Sequence, residues 1–475
     1  MDDDGLDPRR WAALALLCAA NFMVILDSQI VLLALPSIER DLGFADGGSA
    51  QWVLSAYLLG FGGLMLLGGR TADLVGRRRT FLVGTALFLV SSLLCGFAWT
   101  GGVLVAARVA QGVSAALMAP SALAVVTAMF AEGPERNKAL AIWSSVGGFG
   151  ATAALLVGGT LTDALGWPWV FFLNVPVAVV LLALGPVLLS ESRGRARAYD
   201  PAGALTVTLA VSAAVYGVVR APEAGWVSAS TLGALGVAVV AGAVFVRIET
   251  RSAAPLVPLR IFRSRRLTGG NLVMMLTAVG AFGTSFAVSQ YAQSVLGYSP
   301  LKFGLATAVL PVMAVAGSYA AQAAIGRVDV RPVAMSGLAF MAAGSLALGQ
   351  VTADSGYLTG LLPGLFLFGF GLGASAVAAA VAALSGATER DSGLASGLNT
   401  AAFQLGGALG VAVAATVAVS RTDAVPGFRA AFDTSAGITL AGVVIAGLLL
   451  ARPLRRRVPE PVGVTMSKEE NTCGT

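Results

Sequence analysis

The chain has 475 residues, of which 56% are hydrophobic and only 12% charged, and its mean hydropathy is +0.81; no soluble core hides that much apolar surface, so the composition is that of a polytopic membrane protein. A net charge of +6 reads in such a protein as basic loops gathered on one side rather than as nucleic-acid binding. Three cysteines, two of them inside apolar runs, and no histidine argue against a disulfide framework, a metal site or redox chemistry, and leave carboxylates as the side chains suited to taking up and releasing protons near neutral pH.

Taken in order, a charged lead from Asp2 to Arg10 precedes the apolar run Trp11 to Leu35. The run exceeds the short core of a cleaved signal peptide, so it reads as an uncleaved first helix. Asp27 interrupts it, the only acid inside any apolar segment. A charge at membrane depth costs roughly 2.5 to 3.5 kcal/mol on insertion scales, so one that persists faces a cavity and has a task. Asp27 is therefore the expected proton carrier.

Further runs of bilayer length fall near 50–69, 80–98, 101–127, 139–162 and 167–189, completing six. A linker from Ser190 to Pro201 carries Arg193, Arg195 and Arg197, and an inserted pair follows near 202–219 and 229–249. After a second basic linker, Thr250 to Leu267, six more runs lie near 268–290, 304–324, 333–351, 358–383, 399–420 and 435–451. The expected architecture is all-α with fourteen transmembrane helices in a six, two, six order. The corresponding units are a six-helix bundle over 1–189, the inserted helices and their linkers over 190–266, a second bundle over 267–452, and a tail over 453–475. With the N-terminus inside, only Arg40, Arg220, Lys302, Arg421 and Arg429 fall on the outer side, and Arg108 lies within the fourth span. That bias places both termini in the cytoplasm.

The stretch after the second span reads Gly69-Arg70-Thr71-Ala72-Asp73-Leu74-Val75-Gly76-Arg77-Arg78-Arg79. Its acid amid arginines asks for a specific loop, with Gly69 and Gly76 permitting a tight turn. The pattern G-x-x-x-D-x-x-G-R-K/R between two membrane helices resembles the signature loop of the major facilitator superfamily. The fourth span adds Leu104, Arg108, Gln111 and Gly112 in the family's L-x-x-x-R-x-x-Q-G spacing, and the first has Leu26-Asp27 with Ala34-Leu35-Pro36. With fourteen spans the whole chain resembles the drug:proton antiporter branch, a family of transporters rather than enzymes.

That resemblance implies several roles. Arg108 would help exchange the proton on Asp27. Asp73 would latch onto the start of the thirteenth span, Gly393 to Asn399, where exposed N–H groups and the helix dipole favour an anion. Arg77 would pair with Glu132 or Glu135, and the sequence does not choose between them. The departures are Gln29 and Leu32 where the branch has Thr and Asn, Ala154-Leu155 where its fifth-span motif has Gly-Pro beside the retained Gly150, Gly158 and Gly159, and Phe403 where many members have Arg. The second-half copy of the signature loop shrinks to Gly326-Arg327-Val328-Asp329-Val330-Arg331.

Candidate substrate contacts are Gln29, Gln111, Gln290, Tyr291, Asn399 and Gln404. Isolated amides in spans also serve as interhelical hydrogen bonds. The second half has no buried acid to balance a dication, so a neutral, zwitterionic or weakly anionic amphiphile fits better. The reading is a proton-coupled exporter of a drug or antibiotic in the bacterial cytoplasmic membrane, working by alternating access among lipids with no cofactor or metal. A symporter or facilitator is the alternative, because of the missing Gly-Pro. An integral-membrane enzyme acting on lipid-linked substrates would need reactive groups clustered near one interface, and Asp41, Asp46, Asp163, Glu223, Asp354, Asp423 and Asp433 are scattered.

Overall fold

Within a bilayer every backbone N–H and C=O needs an internal partner, and for apolar runs of this length the helix is the structure that provides one. The computed structural model describes residues 9–44, 50–130, 134–192, 201–252, 255, 257–387, 391–421 and 423–451, and no strand occurs among them. The helices are α1 (Arg10–Asp41), α2 (Gln51–Val75), α3 (Arg77–Gly96), α4 (Gly101–Met129), α5 (Pro134–Leu165), the short α6 (Trp169–Phe172) and α7 (Asn174–Leu188). Next in the chain are α8 (Pro201–Ala224) and α9 (Ala229–Arg251). Then come α10 (Arg265–Gln290), α11 (Pro300–Thr307), α12 (Val309–Ile325), α13 (Val330–Leu348), α14 (Leu362–Ser385), α15 (Ser392–Val419) and α16 (Ala424–Leu449). Among the described residues eleven spans are long and apolar enough to cross a membrane, or twelve with the bent α2.

Small residues set the helix spacing. A Cβ on Gly60 of α2 would lie 2.9 Å from the Val109 carbonyl of α4, and one on Gly112 of α4 would run into the Tyr57 carbonyl of α2. The two backbones therefore meet directly, as small-residue interfaces in membranes permit. Gly373 of α14 faces the Ala314 carbonyl of α12 in the same way.

Helix α8 lies against both α2 and α15. Thr208 Oγ1 donates to the Gly63 carbonyl at 3.2 Å, and Tyr216 packs on Trp52 with ring centroids 5.6 Å apart. Helix α9 packs on α8 and leaves Val237, Val239, Val240 and Val244 exposed, the surface a lipid-facing helix presents. The following segment returns to the bundle, where Val257 and Ile261 pack with Leu267 and Ala395.

The two ends of the bundle differ. At the end away from Arg77, Arg78 and Arg79, one apolar cluster joins Leu33, Leu35 and Ile38 of α1 to Phe286, Phe303, Phe428 and Phe432 of the second half. Ser289 Oγ donates to the Leu32 carbonyl at 2.8 Å, and Gly159 of α5 presses on Pro300, its Cβ position 2.7 Å from that carbonyl oxygen. This bridging cluster seals that end. At the basic end Phe81, Val125 and Phe130 belong to one cluster, which also takes in Ala408 and Ala412 of α15, and Val333, Ala378 and Leu450 to another.

Three expectations need correction. Gly69 to Val75 are not a loop but the end of α2, and the chain turns at Gly76 alone, with φ of 125°. Helix α16 begins at Ala424 rather than near 435, because Phe428 and Phe432 are buried in the bridging cluster and Arg429 Nε donates to the Val351 carbonyl at 2.5 Å. Asp27 is not the only buried acid: Glu249 in α9 is 4% exposed and accepts the Val257 N–H at 3.1 Å, which fixes the turn into the second linker.

Candidate functional site

Helix α1 carries Asp27 into the first bundle, where it is fully buried. Three donors from two other helices converge on its carboxylate. Arg108 Nη1 lies 2.6 Å from Oδ2, while Gln111 Nε2 at 2.9 Å and Asn174 Nδ2 at 2.7 Å share Oδ1. Arg108 and Gln111 are three residues apart on α4, so they project from one face toward α1. A buried ion pair is stable only when its remaining polar atoms are also met, and here most are. Arg108 Nε donates to the Val53 carbonyl at 2.9 Å and Nη1 also reaches Gln111 Oε1 at 2.6 Å. The guanidinium lies 4.3 Å from the Tyr57 ring centroid and 5.7 Å from that of Phe171, both in cation–π range. Gln111 Nε2 reaches Ser92 Oγ on α3 at 2.9 Å. The contact of Gly112 with Tyr57 draws α2 close enough for Val53 and Tyr57 to serve Arg108.

A cavity of about 210 Å³ lies on another side of α1, at the junction of the two halves. Gln29 and Leu32 contribute from α1, and Phe282, Thr284, Phe303 and Phe403 are among the residues facing them. No charged side chain lines it among the described residues. Phe282 and Phe403 meet edge to face with centroids 5.6 Å apart. Hydroxyls and one amide set in an aromatic wall suit an uncharged amphiphile. Asp27 does not line it; two residues along a helix turn about 200°, so Asp27 and Gln29 point to different compartments.

The other candidate contacts lie elsewhere. Gln111 belongs to the acid cluster. Gln290 Nε2 stands 3.4 Å from Glu39 at the sealed end. Tyr291 is fully buried and donates to the Thr352 carbonyl at 2.6 Å. Asn399 donates to Asn271 Oδ1 at 3.1 Å. Gln404 is buried against Gly62, whose Cβ position is 3.0 Å from its own Cβ. These amides and this hydroxyl join helices, whereas Phe403, beside Gln404, reaches the cavity. Asn174 was not anticipated. Its signal is an amide in a span, 167–189, with no other amide and otherwise nearly unbroken apolar character.

Around Gly76, Asp73 accepts from Arg77 at 3.1 Å and makes no bond to the start of α15 among the described residues. Arg77 Nη1 donates to the Ala124 carbonyl at 3.2 Å and does not pair with Glu135, which bonds Arg10 at 2.9 Å; Glu132 lies outside the described residues. Glu191 instead sits at the start of α3. It accepts the Arg78 N–H at 3.1 Å and the Arg79 N–H at 3.3 Å, the favoured place for an anion, and a Cβ on Gly76 would lie 2.6 Å from its Oε1.

Helices of membrane length around a buried ion pair and an uncharged cavity are the arrangement of a polytopic membrane transporter. The chain belongs to the Major Facilitator Superfamily, whose family model matches residues 17–275 and 270–470. It is 40% identical over 425 residues to the puromycin resistance protein pur8 of Streptomyces alboniger, covering 88% of this chain and 84% of that one. It is 38% identical over 422 residues to the cephamycin export protein CmcT of Amycolatopsis lactamdurans, covering 87% and 86%. A crystal structure of the POT family transporter PepTSo shares the fold, with a TM-score of 0.68 at 17% identity over 92% of this chain and 97% of that one.

Proposed function

We propose that this protein exports small amphipathic compounds, a drug or an antibiotic, across the bacterial cytoplasmic membrane in exchange for protons, with Asp27 as the carrier. The observation that carries the reading is the fully buried Asp27 carboxylate held 2.6 Å from Arg108, beside an uncharged cavity; relatives named for puromycin resistance and cephamycin export support the substrate class. The distribution of Lys and Arg supports cytoplasmic termini, two six-helix bundles over 1–189 and 267–452, and an inserted pair between them. In that orientation the sealed end is extracellular and the conformation faces inward. Gln29 is the proposed substrate contact of the first bundle.

In the proposed cycle an ionised Asp27 is pinned to Arg108. Protonation in the outward-facing form removes the charge that holds the pair and permits the shift inward, where release resets the carrier. A potential of 100 mV supplies about 2.3 kcal/mol per charge moved, which at about 1.4 kcal/mol per decade supports a gradient of roughly fifty-fold.

The test pairs internal pH with labelled puromycin in proteoliposomes. Asp27→Asn keeps the shape and fixes the site neutral, so uphill efflux and substrate-induced proton movement both vanish while passive exchange persists. Uphill efflux by Asp27→Asn with proton movement intact overturns the assignment. Downhill movement by the unaltered protein with no proton flux identifies a facilitator instead.

A further inference from the structure

We infer that Asn174 is the acceptor for the proton on Asp27: its side-chain amide turns over when the carboxylate is protonated, and this turn sets the proton affinity of the carrier. The inference rests on the reading of Asp27 as the proton site.

The argument is one of donors and acceptors. An ionised carboxylate only accepts, whereas a protonated one must also donate. Every group bonded to Asp27 is now a donor: Arg108 Nη1 on Oδ2, and Gln111 Nε2 and Asn174 Nδ2 on Oδ1. Both lone pairs of Oδ1 therefore already face N–H groups, so a proton there needs one neighbour to reverse, while the second lone pair of Oδ2 meets no acceptor among the bonds of the described residues. Arg108 has no acceptor to offer. Gln111 is committed on both sides, with Nε2 also on Ser92 Oγ at 2.9 Å and Oε1 accepting from Arg108 at 2.6 Å and from Cys95 Sγ at 3.6 Å. Turning it breaks four bonds. Asn174 makes one bond, through Nδ2, and its Oδ1, in a side chain only 1% exposed, has no partner among the described residues.

A half turn about the Cβ–Cγ bond brings that Oδ1 to where Nδ2 stood, facing Asp27 Oδ1. The arriving proton bonds to Asp27 Oδ1, and the new O–H donates to Asn174. Gln111 keeps its bond to the second lone pair, no other covalent bond changes, and the carboxyl no longer carries the charge that holds Arg108. Asn174 opens α7 immediately after Leu173, which joins it to α6, and Phe171 of α6 lies against the Arg108 guanidinium. One short segment thus touches both members of the pair. Among the described residues the titratable groups facing Asp27 are Arg108 of α4, Tyr57 of α2 and Cys95 of α3; α5, which packs along α1 through Gly150 and Gly158, and α6, α7, α10 and α11 present none to it.

The experiment uses the proton itself as the probe. Infrared difference spectra of the purified full-length transporter are recorded between neutral and acidic pH. Protonation of Asp27 appears as a carboxylic-acid C=O band that Asp27→Asn abolishes. With asparagine labelled by ¹³C at the side-chain carbonyl, the unaltered protein shows an amide band that shifts together with the acid band, and Asn174→Leu loses that shift. In Asn174→Leu the acid band moves to higher frequency because the O–H has lost its acceptor, and its midpoint pH moves because the ionised carboxylate has also lost the Asn174 Nδ2–H donor. Asn174→Ser, whose hydroxyl can donate or accept, restores part of both. An acid band present in the unaltered protein, with no Asn174-dependent amide shift and the same position in Asn174→Leu, overturns this inference alone. If Asp27→Asn leaves the acid band in place, the reading of Asp27 as carrier fails as well. Where Asn174→Leu does not fold, the labelled Asn174→Ser protein, which has no labelled carbonyl at that position, assigns the amide band among the six asparagines of the chain instead.

Discussion

Arg108 holds Asp27 with one nitrogen and α2 with another: Nη1 stands 2.6 Å from the carboxylate and Nε 2.9 Å from the Val53 carbonyl. The ion pair is therefore also a clamp between α1, α2 and α4, and a compact ammonium cannot reproduce it. Arg108→Lys is expected to lose about 2 kcal/mol of stability through the missing charge-assisted bonds. Arg108→Met, which strands a buried carboxylate, loses about 3 to 5 kcal/mol. Adding Asp27→Asn to Arg108→Met recovers part of that loss, because no charge is then left unpaired. Thermal unfolding in detergent of the four proteins of this double-mutant cycle checks the coupling; additivity would mean that the two residues do not stabilise one another.

Part of this arrangement was legible in the sequence. Asp27 and Arg108 stand out because each is a lone charge in an apolar run, and hydropathy alone marks most of the helices. Asn174 did not stand out, because an amide among apolar residues is common at helix interfaces and nothing local says that residue 174 meets residue 27. The same difficulty affected Tyr291 and Asn399: their polarity was visible, but whether they faced a cavity or another helix depends on the rotation of packed helices. Gly69 suggests a turn by its type, yet of Gly69 and Gly76 only Gly76 has a positive φ. Glu191, in a linker read only as basic, reaches the start of α3 through tertiary structure.

The backbone contact between α2 and α4 gives a sharper test of packing. A methyl group at Gly112 meets the Tyr57 carbonyl, which is part of the helix that supplies Arg108 with its ring and carbonyl contacts, while one at Gly233 of α9 meets nothing within 4 Å. Gly112→Ala is expected to cost about 1 to 3 kcal/mol by overpacking and to lower efflux with it. Gly233→Ala should be neutral or slightly stabilising, since alanine favours the helix by up to about 1 kcal/mol. Unfolding temperatures and efflux rates measured side by side test the contrast.

For Asp73, stability and turnover should separate. Its pair with Arg77 is part-exposed, at 36% and 21%, and such pairs contribute at most about 1 kcal/mol, while Arg77 keeps the Ala124 carbonyl. Asp73→Asn is thus expected to unfold near the normal temperature. If the acid serves the opposite conformation by resting at the start of α15, losing an interaction of about 0.3 to 2 kcal/mol slows efflux roughly two- to thirty-fold with substrate affinity unchanged. A normal rate removes the latch role.

The cavity and the buried Asp27 cluster occupy different sides of α1, and substitution at Gln29 tests whether they are independent. Gln29 is the amide that α1 contributes to the lining, and none of the bonds around Asp27 involves it. Gln29→Leu preserves bulk and removes one hydrogen-bonding group, which for a bound polar ligand corresponds to about 1 kcal/mol, or roughly a five-fold loss of affinity. Equilibrium binding of a labelled compound that the unaltered protein exports is expected to weaken by that order, and the acid band of Asp27 to keep its position and midpoint pH. Phe403→Ala, which opens the aromatic wall without touching a polar group, should alter the range of compounds exported more than the affinity for any one of them. Unchanged binding in both variants would remove this cavity as the substrate site. A shifted Asp27 midpoint in Gln29→Leu would show that the two compartments communicate even without substrate.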